Sequence, residues 1–219
     1  MKAILILFLF AAVFSIKYEG LDVSSYQKTI NWSEVAKTKH FAILRAGTGY
    51  QGGNNKDSTF EENYKNAKKA GVKVGAYWYS YAKSVEDAKK EARYFLKHLK
   101  GKKFEWPVYY DIEEKSQFKA GIHNSIAKAF CKILEAEKYY CGIYASGSHW
   151  SSDFDDEVKR KYTVWIAHWE VKKPTYKGKY HVWQKTSHGS VKGINGRVDL
   201  DESYIDFEPT MKEKHLNGY

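Results

Sequence analysis

Residues 72–113 read VKVGAYWYSYAKSVEDAKKEARYFLKHLKGKKFEWPVYYDIE, one complete strand–helix–strand unit. Val72 to Tyr79 reads as a strand, Val85 to Leu99 as a helix stopped by Gly101, and Val108 to Ile112, behind Pro107, as a second strand. Such a succession implies parallel strands joined by a right-handed crossover, because a right-twisted strand feeding a helix packs back onto its own sheet only that way. The second strand runs into Asp111-Ile112-Glu113, two carboxylates where a strand meets its following loop.

The same alternation extends in both directions. Upstream, Gly20 to Val23 is a short strand, Trp32 to Lys37 a short helix behind the cap Asn31, and His40 to Ala46 (HFAILRA) an apolar buried strand. Phe60 to Ala70 is a helix closed by Gly71. Downstream, Ile122 to Glu137 is a long helix and Cys141 to Ala145 (CGIYA) a fifth strand. Thr163 to Ala167, Tyr180 to Gln184 and Arg197 to Leu200 are three more strands with little room for helices between them. The fold class is therefore α/β: an irregular TIM-like barrel of about eight strands, roughly five βα units followed by three helix-poor strands. The alternative, a doubly wound open sheet, loses ground because no glycine-rich dinucleotide turn follows the first strand.

With 219 residues, 43% hydrophobic and 28% charged, and three prolines, the chain has the make-up of one globular domain; disordered, collagen-like and repeat classes fit poorly. Met1 and Lys2, the apolar run Ala3 to Phe14 and the small Ser15 read as a signal peptide over residues 1–15, leaving 16–219 as a single domain. The apolar run is too short for a bilayer, which needs about 20 residues, so no stable membrane insertion is expected. Secretion, or delivery to a digestive vesicle of lysosomal or phagosomal type, follows from the leader. An oxidising compartment allows a disulfide. Yet Cys131 falls mid-helix and Cys141 opens the next strand, so an axial offset adds to a helix-to-sheet gap of about 10 Å, whereas bridged cysteines need Cα atoms within about 7 Å. Two buried thiols are expected instead.

The formal charge of +10 draws the chain toward polyanions. Its lysines are scattered rather than massed in one arm, and neither zinc-finger spacing nor a phosphate loop occurs, so a nucleic-acid partner is not expected. The eight histidines lack an H-x-x-x-H pair, so no metal site is expected, and a monomer is the simplest state.

Residues two apart on a strand face the same way, so Asp111 and Glu113 would both point at the barrel mouth. Glycoside hydrolysis needs such a pair, one carboxylic acid to protonate the leaving oxygen and one carboxylate to stabilise or trap positive charge at the sugar carbon. Two acids in one site also raise the pKa of one of them. Asp22 ends the first strand, Asp199 and Asp201 end the last, and a closed barrel makes those strands neighbours. Aromatics make up 16% of the chain, and Tyr77, Tyr79, Tyr144, Trp165, Trp169 and Trp183 lie in or just after strands, where flat rings could stack on sugars. A serine hydrolase would need a G-x-S-x-G elbow, which Gly147-Ser148-His149 is not.

Taken in order, these segments resemble the family 25 glycoside hydrolases, the Chalaropsis-type lysozymes, along nearly the whole mature chain. The matching stretches are Gly20-Leu21-Asp22-Val23-Ser24-Ser25-Tyr26-Gln27, Phe41 to Gly47, Ala70 to Tyr77, Asp111-Ile112-Glu113, Tyr144-Ala145-Ser146, Trp165-Ile166-Ala167, Trp183-Gln184 and Val198-Asp199-Leu200. The resemblance implies cleavage of the β-1,4 bond between N-acetylmuramic acid and N-acetylglucosamine in bacterial peptidoglycan, with no cofactor. It makes Glu113 the general acid, Asp111 its partner, and Asp22 and Asp199 flanking acids; Tyr77, Tyr79, Tyr144, Trp165 and Trp183 are the expected sugar-binding residues. The family often carries histidine at Trp78 and asparagine at Asp201, which leaves open how Asp199 and Asp201 divide their roles.

Overall fold

The computed structural model describes residues 16–50 and 55–219, so the segment read as a signal peptide lies outside the described residues. In chain order the elements are β1 (Tyr18–Val23), α1 (Trp32–Val35), β2 (Phe41–Thr48), α2 (Phe60–Lys69), β3 (Lys73–Tyr79), α3 (Val85–Leu99), β4 (Val108–Asp111), α4 (Lys115–Lys119), α5 (His123–Ala136), β5 (Cys141–Ser146), α6 (Gly147–Ser152), α7 (Asp156–Lys161), β6 (Thr163–Ala167), β7 (Val182–Gly189), β8 (Val198–Ser203) and α8 (Glu208–Glu213). The strands close into a barrel in sequence order. β1 to β7 run parallel, whereas β8 is antiparallel to both β7 and β1.

The local signals explain the central unit. Ser84 Oγ accepts from the Asp87 N–H at 3.1 Å, acids occupy the first turn of α3 and Lys97 and His98 the last, and Gly101 supplies the positive φ beyond its end. Ala88, Ala92, Phe95 and Leu99 form the buried stripe of α3, and Phe95 stacks on Phe130 of α5 at 5.9 Å. Strand alternation then separates two cores. Val108, Tyr110, Val74 and Leu44 face outward under the helices, while Phe41, Ile43, Tyr109, Trp165 and Val182 fill the barrel, with Trp106, Phe207 and Met211 packed among them. The interior is crowded enough to require glycine. A Cβ on Gly20 would lie 2.3 Å from the Phe41 ring, and one on Gly142 2.5 Å from the Tyr109 ring.

Three sequence expectations change. The short helices α4, α6, α7 and α8 carry too few turns to show a period and were not anticipated. The last strand is reversed, which βα alternation alone does not signal. Finally, Cys131 and Cys141 are bonded, with Cα atoms 5.5 Å apart. The expected gap was measured to the helix axis, but a Cα facing the sheet stands about 2.3 Å inside that axis. The axial offset also disappears: Tyr139 N–H donates back to Leu134 O at 2.9 Å across Lys138 at φ 61°, so the chain reverses tightly and returns alongside Cys131.

Candidate active site

The reversed strand positions the acids. Asp22 and Asp199 are direct partners across β1 and β8. Asp199 is only the second residue of β8, yet the antiparallel direction puts it at the rim formed by the C-terminal ends of the other strands. In a parallel β8 the same residue would sit at the opposite end of the barrel. Asp111 closes β4 beside Tyr79 and Tyr144, and Ile112 N–H extends that ladder to Tyr144 O at 3.0 Å, leaving Glu113 just past the last rung.

Asp22, Asp111, Glu113 and Asp199 line one cavity of about 190 Å³, with Tyr77, Tyr79, Tyr144 and Trp165 among its walls. Trp183 stands apart from it. Val182 and Gln184 take the inward positions of β7, so the Trp183 indole points out and donates to His168 O at 2.8 Å. Arg45, Gln184, Tyr26 and Gln27 also line the cavity, beside Val23 and Ser24, and were not anticipated. A charged residue within the apolar strand His40 to Ala46 was the signal for Arg45, and a polar residue two after the inward Val182 of β7 the signal for Gln184.

Gln184 ties the wall together. Its Nε2 donates to Asp22 Oδ2 at 2.7 Å, and its Oε1 accepts from Tyr144 OH at 2.9 Å and from Trp169 Nε1 at 2.8 Å. Arg45 is held by Asp57 (Nε to Oδ2, 2.8 Å) and by Ser25 Oγ (3.0 Å), with its guanidinium 5.2 Å from the centre of the Tyr26 ring. Among the described residues it is the one cation lining a cavity that holds four carboxylates.

Burial and mutual repulsion keep protons on these acids. Glu113 reaches solvent at the mouth, but the surrounding walls, then the charges of Glu114 and Asp199, raise it to about 7. Burial first and Glu113 second push Asp111 well above the carboxylate range, with Arg45 opposing. Burial raises Asp199 to about 6. Asp22 is raised by burial, then by Asp199 and Asp201. Asp111 Oδ1 is buried and has no partner among the described residues.

Asp201 lies deeper and does not line the cavity. It is fully buried, accepts from Trp165 Nε1 at 2.8 Å, and feels the neighbouring acids Asp199 and Asp22. Burial, opposed by the Trp165 bond and aided by Asp199, raises it to about 8, so at neutral pH the folded protein keeps a proton that the unfolded chain releases from its ordinary value of 3.8. That contribution to stability is complete below about pH 4 and is lost as pH climbs toward 8. Asp201→Asn can keep the hydrogen bond from Trp165 without the titration. Its melting temperature should match the parent at pH 4 and exceed it at pH 7.5 by more than about 3 °C, the equivalent of roughly 1 kcal/mol in a domain of this size. A constant difference across that range would refute a titrating Asp201.

Known proteins share this architecture. A bacterial lysozyme structure from Streptomyces coelicolor superposes with a TM-score of 0.76 at 27% identity, covering 88% of this chain and 98% of that one. The autolytic lysozyme of Clostridium acetobutylicum is 28% identical over 184 residues, 84% of this chain and 55% of its own length. The uncharacterised protein YegX of Escherichia coli is 29% identical over 207 residues, 91% of this chain and 72% of its own length. The family model described as glycosyl hydrolases family 25 matches residues 21–194, from the strand carrying Asp22 almost to the strand carrying Asp199, and the chain is accordingly a member of that family and a glycoside hydrolase of the lysozyme type.

Proposed function

We propose that the enzyme is a muramidase that cleaves the β-1,4 bond from N-acetylmuramic acid to N-acetylglucosamine in peptidoglycan. The observation that carries this reading is the convergence of Asp22, Asp111, Glu113 and Asp199 on one aromatic-walled cavity, with Glu113 poised near 7. Glu113 in its acid form gives its proton to the glycosidic oxygen as that bond breaks. The substrate's own acetamido oxygen attacks the sugar carbon, and Asp111 takes a hydrogen bond from the acetamido N–H. The unpartnered Oδ1 of Asp111 suits that acceptor role, since a buried acceptor without a donor is costly. Water then adds to the sugar carbon, giving its proton to the Glu113 carboxylate, and the configuration is retained. Tyr77, Tyr79, Tyr144 and Trp165 form the walls against which a sugar ring packs. Asp22 and Asp199 flank the reacting carbon, and Asp199, ionised above about pH 6, adds negative potential there.

The leader over residues 1–15 supports secretion or vesicular delivery, with a mature chain starting near Ile16; intact-mass analysis of protein from its native source that retains Met1 would overturn that assignment. Clearing of purified bacterial walls, set against release of soluble oligomers from chitin, tests the substrate: rapid clearing with little chitin cleavage is expected, and the reverse would make the enzyme a chitinase. Its surplus of positive charge should concentrate it on anionic walls through attraction that decays over about 8 Å at physiological ionic strength. Rising salt should therefore slow clearing of whole walls while leaving hydrolysis of a short neutral glycan unchanged. Equal salt sensitivity on both substrates would count against charge steering.

A further inference from the structure

A second hollow of about 310 Å³ opens beside the catalytic cavity at the ends of β5 and β6, bounded by Ser146, Ser148, Ala167, His168, Trp169 and Thr175. Its walls combine hydroxyls, an imidazole and one indole face. Trp169 is 46% exposed, whereas the other six tryptophans are 6% exposed or less. Leaving so large an apolar ring in water is unfavourable, by roughly 25 cal/mol for each Å² of apolar surface.

The ring is nonetheless held in place. Trp169 Nε1 donates to Gln184 Oε1 at 2.8 Å, and the flanking N–H groups of His168 and Glu170 each donate at 3.1 Å to the carbonyls of Gln184 and Lys185. Glu170 adopts φ 55°, and its carboxylate accepts from Thr186 Oγ1 at 2.6 Å. A left-handed backbone at a residue other than glycine persists only where its surroundings enforce it, so the indole is presented by a fixed turn. Gln184 also holds Asp22 and lines the catalytic cavity, which places the two hollows on either side of one side chain.

We propose that this second hollow is a sugar subsite, with Trp169 as the platform for an N-acetylhexosamine of the same glycan strand outside the sugar that is cut. The inference rests on the muramidase reading above and extends it to the length of glycan engaged. A pyranose offers an apolar C–H face to an indole while its hydroxyl and acetamido groups seek polar partners, and the seryl and threonyl hydroxyls with His168 provide them. A pre-positioned ring forfeits little entropy on binding, which favours a built subsite over incidental exposure.

The test uses the full mature chain carrying Glu113→Gln, so that oligomers bind without being cut. Acrylamide quenching of tryptophan fluorescence reports mainly on Trp169, the exposed indole. Peptide-free alternating N-acetylglucosamine–N-acetylmuramic acid oligomers of about six sugars should protect the fluorescence, whereas the disaccharide and the free stem peptide should not. By calorimetry, Trp169→Ala in the same background should weaken the long oligomer about threefold to tenfold, the worth of one aromatic stacking contact, and leave the disaccharide unchanged; Trp169→Tyr should restore most of the loss. Saturating binding of the long oligomer without protection of Trp169 would overturn the subsite and leave the muramidase reading intact, as would protection by the stem peptide alone. Absence of binding by every oligomer would overturn the muramidase reading itself. Should the alanine variant fail to fold, the quenching experiment decides by itself.

Discussion

Glu113→Gln is expected to abolish wall lysis in a protein that folds normally. The side chain reaches solvent at the mouth, so a near-isosteric amide is accommodated, yet it has no proton to give the leaving oxygen. Loss of a general acid costs about 10² to 10⁴ in rate. A folded variant, verified by circular dichroism, that keeps more than about a tenth of parental activity would exclude Glu113 from that role. The pH profile sharpens the test. In the proposed mechanism activity requires Glu113 protonated, so it should fall as pH rises through about 7. After burial, the charges of Glu114 and Asp199 hold that proton on, so Glu114→Gln and Asp199→Asn should each move the falling limb to lower pH. A limb that stays in place in both variants would assign it to another group.

Asp111→Asn should come close to Glu113→Gln in severity, because in the proposed mechanism a carboxyl group able to ionise as positive charge develops on the substrate is replaced by an amide that cannot; electrostatic groups of this kind contribute roughly 10² to 10³. Its stability should move the other way. Asp111 is 4% exposed and, through burial and then Glu113, keeps its proton far above the ordinary carboxylate range, so ionising it in the fold is costly. That penalty is absent in acid and grows as pH rises past the range where the unfolded chain ionises. The asparagine variant should therefore melt with the parent at pH 4 and above it at pH 7, a loss of function coupled to a gain of stability. A variant that is both active and no more stable at neutral pH would remove Asp111 from the chemistry.

The repeating part of the fold was legible because each unit announces itself. Val85 to Leu99 was bounded correctly at both ends, and Thr163 to Ala167 likewise, since caps, glycine stops and apolar runs are local signals. What depends on long-range geometry was not legible. Which of Trp165 and Trp183 faces inward turns on a one-residue register in each strand, and a slip of one exchanges the faces. The partnership of Arg45 with Asp57, and of Gln184 with Asp22, joins residues whose proximity exists only once the barrel has closed. The two cysteines show the same limit at shorter range, because the reversal at Lys138 that aligns them follows from backbone conformation rather than composition.

Pairing of β1 with β8 brings together segments almost the whole chain apart. Joining them carries the largest loop-closure cost in the molecule, so that seam belongs among the slow steps of folding. Asp22 and Asp199 face each other across it, and the Gln184 bond to Asp22 spans the same region. Helices α3 and α5, with β4 between them, are built from near neighbours in sequence and can form earlier. During refolding from denaturant, far-ultraviolet ellipticity should accordingly return before the capacity to clear walls. The catalyst thus acts as its own reporter of completion, silent in every partly assembled chain and switched on when the two ends meet.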